Sequence, residues 1–175
     1  MALMPAFGVA SALLIFAGVA KWRSPESARY ALALVGRRVP RSAVRALGAA
    51  ETGLGAVALA RPGTITASAV ALAYGAFLVF IVTLLRSADR PASCGCFGDV
   101  ESGAGAVHAA LNGVGMSVAV LAAIAPPPGL GWILTRVPLI AAPLAIGIAT
   151  AAFAAYLAFT AFPLAWRSYS SDAPT

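Results

Sequence analysis

Cys94 and Cys96 are the only cysteines of a 175-residue chain, and they stand one glycine apart in the string Cys94-Gly95-Cys96-Phe97-Gly98. Two thiols at that spacing can close on each other or clamp one soft metal ion. A disulfide across a single residue is a small, strained ring, easier to reduce than a structural staple and suited to exchange with another protein's sulfurs. Gly95 permits the unusual backbone angles such a ring requires. Arg86 and Arg90 nearby favour the thiolate, while Asp99 and Glu101 oppose it, so the sign of the net shift is open. The alternatives are metal ligation and an incidental or purely structural pair. Two thiolates do not complete a zinc site, which takes four ligands, and the one histidine would have to be a third.

That histidine, His108, opens a long apolar run, with Asn112 one helical turn later on the same face. A ring nitrogen there can exchange protons with a thiol or hydrogen-bond a quinone carbonyl; equally, His108 and Asn112 can satisfy each other or a backbone carbonyl between helices. Glu51 stands inside another apolar run, where an unpaired charge at mid-membrane costs on the order of 3 kcal/mol. Lys21 is its nearest prospective partner. A Lys21–Glu51 pair would lock two helices together, whereas the functional alternative makes Glu51 a proton carrier or ligand contact.

The elements that must position these residues follow from composition. The chain is 61% hydrophobic and only 10% charged, well below the roughly 25% charge of soluble domains, which makes it a membrane protein. Five segments reach or approach the roughly 20 apolar residues a bilayer crossing needs: about 3–20, 43–60, 65–85, 104–125 and 137–162. The expected fold is an all-α membrane protein, a bundle of four to five transmembrane helices in a single domain over 1–167, with a polar tail at 168–175. The first run carries no Lys or Arg ahead of it and is long enough to span, so it reads as a retained helix rather than a signal peptide. Pro62, Pro91, Pro126 to Pro128 and Pro138 mark breaks, Pro143 is expected to kink the last helix, and Trp22, Trp132 and Trp166 fall near helix ends like an interfacial belt. The loop carrying the cysteines is 86–103.

Between the first two segments, Lys21, Arg23, Arg29, Arg37, Arg38, Arg41 and Arg45 are mixed with Tyr30, Leu32, Leu34 and Val35, the pattern of an amphipathic interfacial stretch. The formal charge of +6 points to anionic lipid rather than nucleic acid, since no stacking aromatics or nucleic-acid motif accompany it. With five crossings, this stretch, Arg86, Arg90 and Arg167 share one side, and only Arg61 and Arg136 the other; the positive-inside rule makes the arginine-rich side cytoplasmic. Whatever the orientation, Lys21, Glu51, Cys94, Cys96, His108 and Asn112 belong to one half of the membrane, where a single site can gather them.

Phe16-Ala17-Gly18-Val19-Ala20-Lys21, Glu51 followed by Gly53 and Gly55, and Ser93-Cys94-Gly95-Cys96-Phe97-Gly98 together resemble the methylamine utilisation protein MauE family, within a broader group of DoxX-like membrane proteins. The resemblance spans roughly 7–125. It implies a multi-pass protein of the bacterial cytoplasmic membrane that works with an extracytoplasmic thioredoxin-like partner in handling disulfides, by family analogy in maturing a disulfide-rich methylamine dehydrogenase subunit. The redox pair would be Cys94 and Cys96. That role wants the cysteines on the oxidising side, opposite to the arginine count.

The leading reading is a thiol–disulfide oxidoreductase or electron relay cycling Cys94 and Cys96, with His108 assisting. By analogy with other small membrane thiol oxidases, a membrane quinone held near Glu51, His108 and Asn112 would reset the pair. The alternative is a non-catalytic anchor or assembly subunit of a redox complex, with the cysteines as a docking or metal clip. A transporter with Glu51 as proton carrier ranks below both, because neither an inverted repeat nor paired broken helices can be found.

Overall fold

A computed structural model of the chain describes residues 3–87 and 105–161. Every regular element among them is helical: α1 (Leu3–Arg23), α2 (Pro25–Leu34), α3 (Arg41–Ala60), α4 (Thr64–Ser87), α5 (Ala106–Ile124), α6 (Leu130–Arg136) and α7 (Pro138–Thr160). Five of these, α1, α3, α4, α5 and α7, are long and apolar enough to cross a membrane. The all-α membrane fold expected from composition is the fold observed. At 10 and 7 residues, α2 and α6 are too short to span. The short helix α6, inside a stretch read from sequence only as a proline-marked break, is an addition.

The chain's punctuation explains the boundaries. Pro25 occupies the first turn of α2, where its missing N–H costs nothing, and Pro138 does the same for α7. Helix α2 ends at Gly36, which takes φ +77°, a conformation only glycine adopts without strain. The Gly36 N–H then bonds to the carbonyl of Ala33 at 3.0 Å and the Arg37 N–H to that of Leu32 at 2.9 Å, closing a Schellman motif. At the α3–α4 turn, the Thr66 hydroxyl accepts from the Gly63 N–H at 2.9 Å and so serves a donor the new helix leaves orphaned.

Lipid offers no hydrophobic drive for helices to associate, so packing rests on close approach. Ser11 and Gly18 on α1 face Gly55 and Gly48 on α3, each pair seven residues apart. A Cβ added to Gly55 would lie 2.6 Å from the Ser11 carbonyl oxygen, and one added to Gly48 would lie 2.5 Å from that of Gly18. Helix α1 also packs on α5 and α7, and α4 pairs with α5. Gly115 of α5 receives the Tyr74 ring of α4, against which a Cβ would come within 2.7 Å. The Tyr74 hydroxyl donates to the Ala10 carbonyl at 2.7 Å and ties α4 to α1. Phe7, Leu14, Val70 and Tyr74 form the centre of the largest apolar cluster. Ile65 and Leu139 are 86% and 91% exposed, which water would penalise and hydrocarbon does not.

Helix α2 is pinned to the start of α3 by charge. Glu26 accepts from Arg29 at 2.6 Å and from Arg41, while Arg29 Nε donates to the Val39 carbonyl at 3.0 Å. Partial desolvation pushes the Glu26 carboxyl up, but the hydrogen bonds and charges of Arg41 and Arg29 outweigh it and hold it below the ordinary carboxylate value of 4.5.

Two expectations follow. Gly48→Leu forces α1 and α3 apart and lowers stability in detergent by about 2 kcal/mol or more, whereas Gly53→Ala, whose Cβ meets nothing within 4 Å, changes it by no more than about 1 kcal/mol; thermal unfolding of both variants compares them. Because Glu26 is more acidic folded than unfolded, the pinning of α2 is complete above pH 4.5 and is lost as pH falls through the lowered value. Hydrogen exchange over 25–40, corrected for its intrinsic pH dependence, will show that loss in the native chain and no pH step in Glu26→Gln.

Candidate functional site

Cys94 and Cys96 lie outside the described residues, in the segment joining α4 to α5. What the structure describes is the end of the bundle from which that segment departs. With five crossings, the end of α1, the start of α3, the end of α4 and the start of α5 share one face, and α2 lies beside them. Ile81 and Leu84 of α4 are fully packed there against Val35, Phe80 and Ala109.

His108 is 1% exposed and Asn112 4%. The Asn112 side-chain amide donates to the His108 carbonyl oxygen at 2.8 Å, so its nitrogen serves its own helix. The α4–α5 register follows from Gly115 against Tyr74, and from Met116 Sδ lying 3.4 Å from a Cβ placed on Gly75. Stepping one turn back along α5 and one forward along α4 sets Asn112 about level with Phe77, and the next step sets His108 about level with Ile81. Both polar residues therefore sit on the cysteine side of the bundle.

Lys21 and Glu51 meet. Lys21 Nζ lies 2.8 Å from Glu51 Oε2, with the two residues 5% and 4% exposed. Helix α3 starts at Arg41, two residues before its apolar run, which places Glu51 ten residues in, about 15 Å along the helix and near the middle of a hydrocarbon core of about 30 Å. Lys21 leaves α1 in its last turn. Its long side chain leans toward the N-terminus of its own helix and so runs down into the bundle, opposite to the snorkelling that takes a lysine head to water.

The ammonium group is also 4.9 Å from the centre of the Phe77 ring, a cation–π contact in a buried site. Phe77 in turn meets Tyr74 edge to face at 6.1 Å. One continuous contact path thus joins α3 to α1 and α1 to α4: Glu51, Lys21, Phe77, Tyr74 and the Ala10 carbonyl. Glu51 Oε1 accepts no hydrogen bond among the described residues. Paired in this way, Glu51 links α3 to α1, and the arrangement joins three helices. Tyr74 and Phe77 were not singled out from sequence; their spacing of three on one face of α4 was the available signal, masked by an apolar run in which aromatic residues look like filling.

An open apolar groove of about 1150 Å³ runs between α2, α4 and α5. Glu51, His108 and Asn112, the residues expected to hold a quinone, are not among those lining it. The sequence residues thus fall into an ion pair, Lys21 and Glu51, and a buried His108–Asn112 turn, with Asn112 about level with the Phe77 ring that the Lys21 ammonium contacts.

The family model for methylamine utilisation protein MauE matches residues 1–125. That span ends with α5 and contains every candidate residue named above, together with the whole contact path from Glu51 to Tyr74; α6 and α7 fall beyond it. No curated protein and no solved structure matches the chain.

Removing one member of a buried pair leaves an uncompensated charge, which costs about 3–5 kcal/mol, whereas replacing both by apolar groups of similar volume is close to neutral. Lys21→Met and Glu51→Leu should each lower folded yield and unfolding temperature in detergent, and the double variant should recover most of the loss. A double-mutant cycle on thermal unfolding measures the coupling.

Proposed function

This chain belongs to the methylamine utilisation protein MauE family, and from that membership we propose that it is a multi-pass thiol–disulfide carrier of a bacterial cytoplasmic membrane, exchanging Cys94 and Cys96 with a thioredoxin-like partner. The observation that carries the reading is the Cys94-Gly95-Cys96-Phe97-Gly98 string, placed by chain connectivity between α4 and α5 at the end of the bundle where His108 is buried. Five helices long and apolar enough to cross the bilayer support the membrane setting, and the Lys21–Glu51 pair supports a rigid platform beneath the exchanging segment.

In the oxidising direction, a thiolate of the partner attacks one sulfur of the Cys94–Cys96 disulfide. A mixed disulfide forms and the other cysteine leaves as thiolate. The partner's second thiolate then attacks its own sulfur in the mixed disulfide, so the partner gains a disulfide and Cys94 and Cys96 are left as a dithiol, with two electrons and two protons transferred. His108, near that end of α5, is the proposed group for proton exchange with the departing thiolate. Restoring the disulfide takes a two-electron oxidant of the membrane quinone class. In this structure Glu51 is engaged by Lys21 and Asn112 by its own helix, so no step is routed through a quinone at these residues. The setting proposed on the family's description is methylamine utilisation.

Cys94→Ser and Cys96→Ser are each expected to stop the partner's change of redox state in cells. One of the two should also accumulate the mixed disulfide, visible by alkylation and non-reducing electrophoresis. Unchanged partner thiols in both variants would overturn the reading and leave the non-catalytic anchor. The same cells treated with a membrane-impermeant thiol reagent report which face carries the cysteines, and stoichiometric zinc with alkylation-resistant thiols in the purified protein would assign them to a metal clip.

A further inference from the structure

We infer that the groove between α2, α4 and α5 is a binding site for one anionic phospholipid, with its headgroup on Arg37 and one acyl chain lying along α4. This is independent of the thiol reading. The floor of the groove runs along α4 from Ser68 to Thr83, about 22 Å at 1.5 Å per residue. That length and its apolar lining suit an extended hydrocarbon chain. Gly75 hollows the floor, and Leu32 of α2 and Val35 just past its end close the upper end, so the groove is bounded by the interfacial helix and not by lipid-facing helices alone.

The lip carries a charge held there by backbone structure. Arg37 lines the same groove, and the chain reverses onto it through the left-handed Gly36 and the bond from the Arg37 N–H to the Leu32 carbonyl. A Cβ on Gly36 would meet nothing within 4 Å, so that glycine answers to conformation and not to crowding. Arg29 and Arg41 are committed to Glu26, whereas Arg37 has no ion-pair partner among the described residues. An exposed guanidinium at the mouth of an apolar groove, at the end of the bundle richest in arginine, is complementary to a lipid phosphate, which accepts bidentate hydrogen bonds from it. A neutral amphiphile would leave that charge unanswered.

The test is native mass spectrometry of the full chain in mild detergent, titrated with phosphatidylglycerol or with diacylglycerol of matched chains, which lacks the phosphate. The expected result is one retained phosphatidylglycerol, held roughly tenfold more tightly than diacylglycerol, as one charge-assisted contact provides. Arg37→Gln should abolish the preference, while Arg45→Gln, an exposed arginine outside the groove, should keep it. Gly75→Leu, whose Cβ would meet only Met116 Sδ at 3.4 Å, should weaken retention of both lipids about tenfold by filling the groove; Ala76→Leu is the substitute if that variant does not elute as a folded species. Equal binding of the two lipids by the native chain, an undiminished preference in Arg37→Gln, or a bound quinone in place of phospholipid would each overturn the inference.

Discussion

A lysine and a glutamate joined near the middle of a bilayer constrain everything around them. Neither charge can be left alone in hydrocarbon, and water is not there to answer either. The pair therefore demands that the end of α1 and the middle of α3 stay in fixed register, with Lys21 Nζ within 2.8 Å of Glu51 Oε2. The glycines of the α1–α3 contact are what make this possible. Gly18 and Gly48 bring the two backbones close enough for the lysine to descend beside α3 instead of rising toward the surface. Small residues and buried charge act as one device: the first gives proximity, the second makes any other register costly.

From that pair the constraint spreads to the second half of the matched region. Phe77 offers the lysine a π face, Tyr74 braces Phe77, and the Tyr74 hydroxyl returns to a carbonyl of α1. Because Tyr74 also fills the space above Gly115, the register of α4 against α5 is set by the same aromatic residue. A contiguous run of contacts thus connects α5, which carries His108, to the salt bridge between α1 and α3.

The arginine-rich end is organised separately. Glu26, Arg29 and Arg41 form an exposed network holding α2 against the start of α3. Such contacts are individually weak in water. They matter because α2 is too short to span and would otherwise be placed by its amphipathic face alone. Fixing α2 also fixes the upper wall of the groove it shares with α4 and α5, so a modest surface network shapes an apolar site beside it.

Length and hydropathy alone determined that this chain is an all-helical, multi-pass membrane protein, since a backbone in hydrocarbon must satisfy its own hydrogen bonds and stretches of roughly 20 apolar residues answer that need. Residue identity alone also marked Lys21, Glu51, His108 and Asn112, because polar groups are conspicuous against an apolar background, and alternation of the crossings placed them toward one face. It offered the Lys21–Glu51 pair and an Asn112 bond to a neighbouring carbonyl as alternatives without deciding for them, and it did not show that Phe77 and Tyr74 complete the path. Those are decided by tertiary structure. Whether a buried polar atom is engaged depends on distances between residues as far apart as Ala10 and Tyr74 in the chain, and an aromatic side chain in an apolar run carries no local sign of the charge it will come to face.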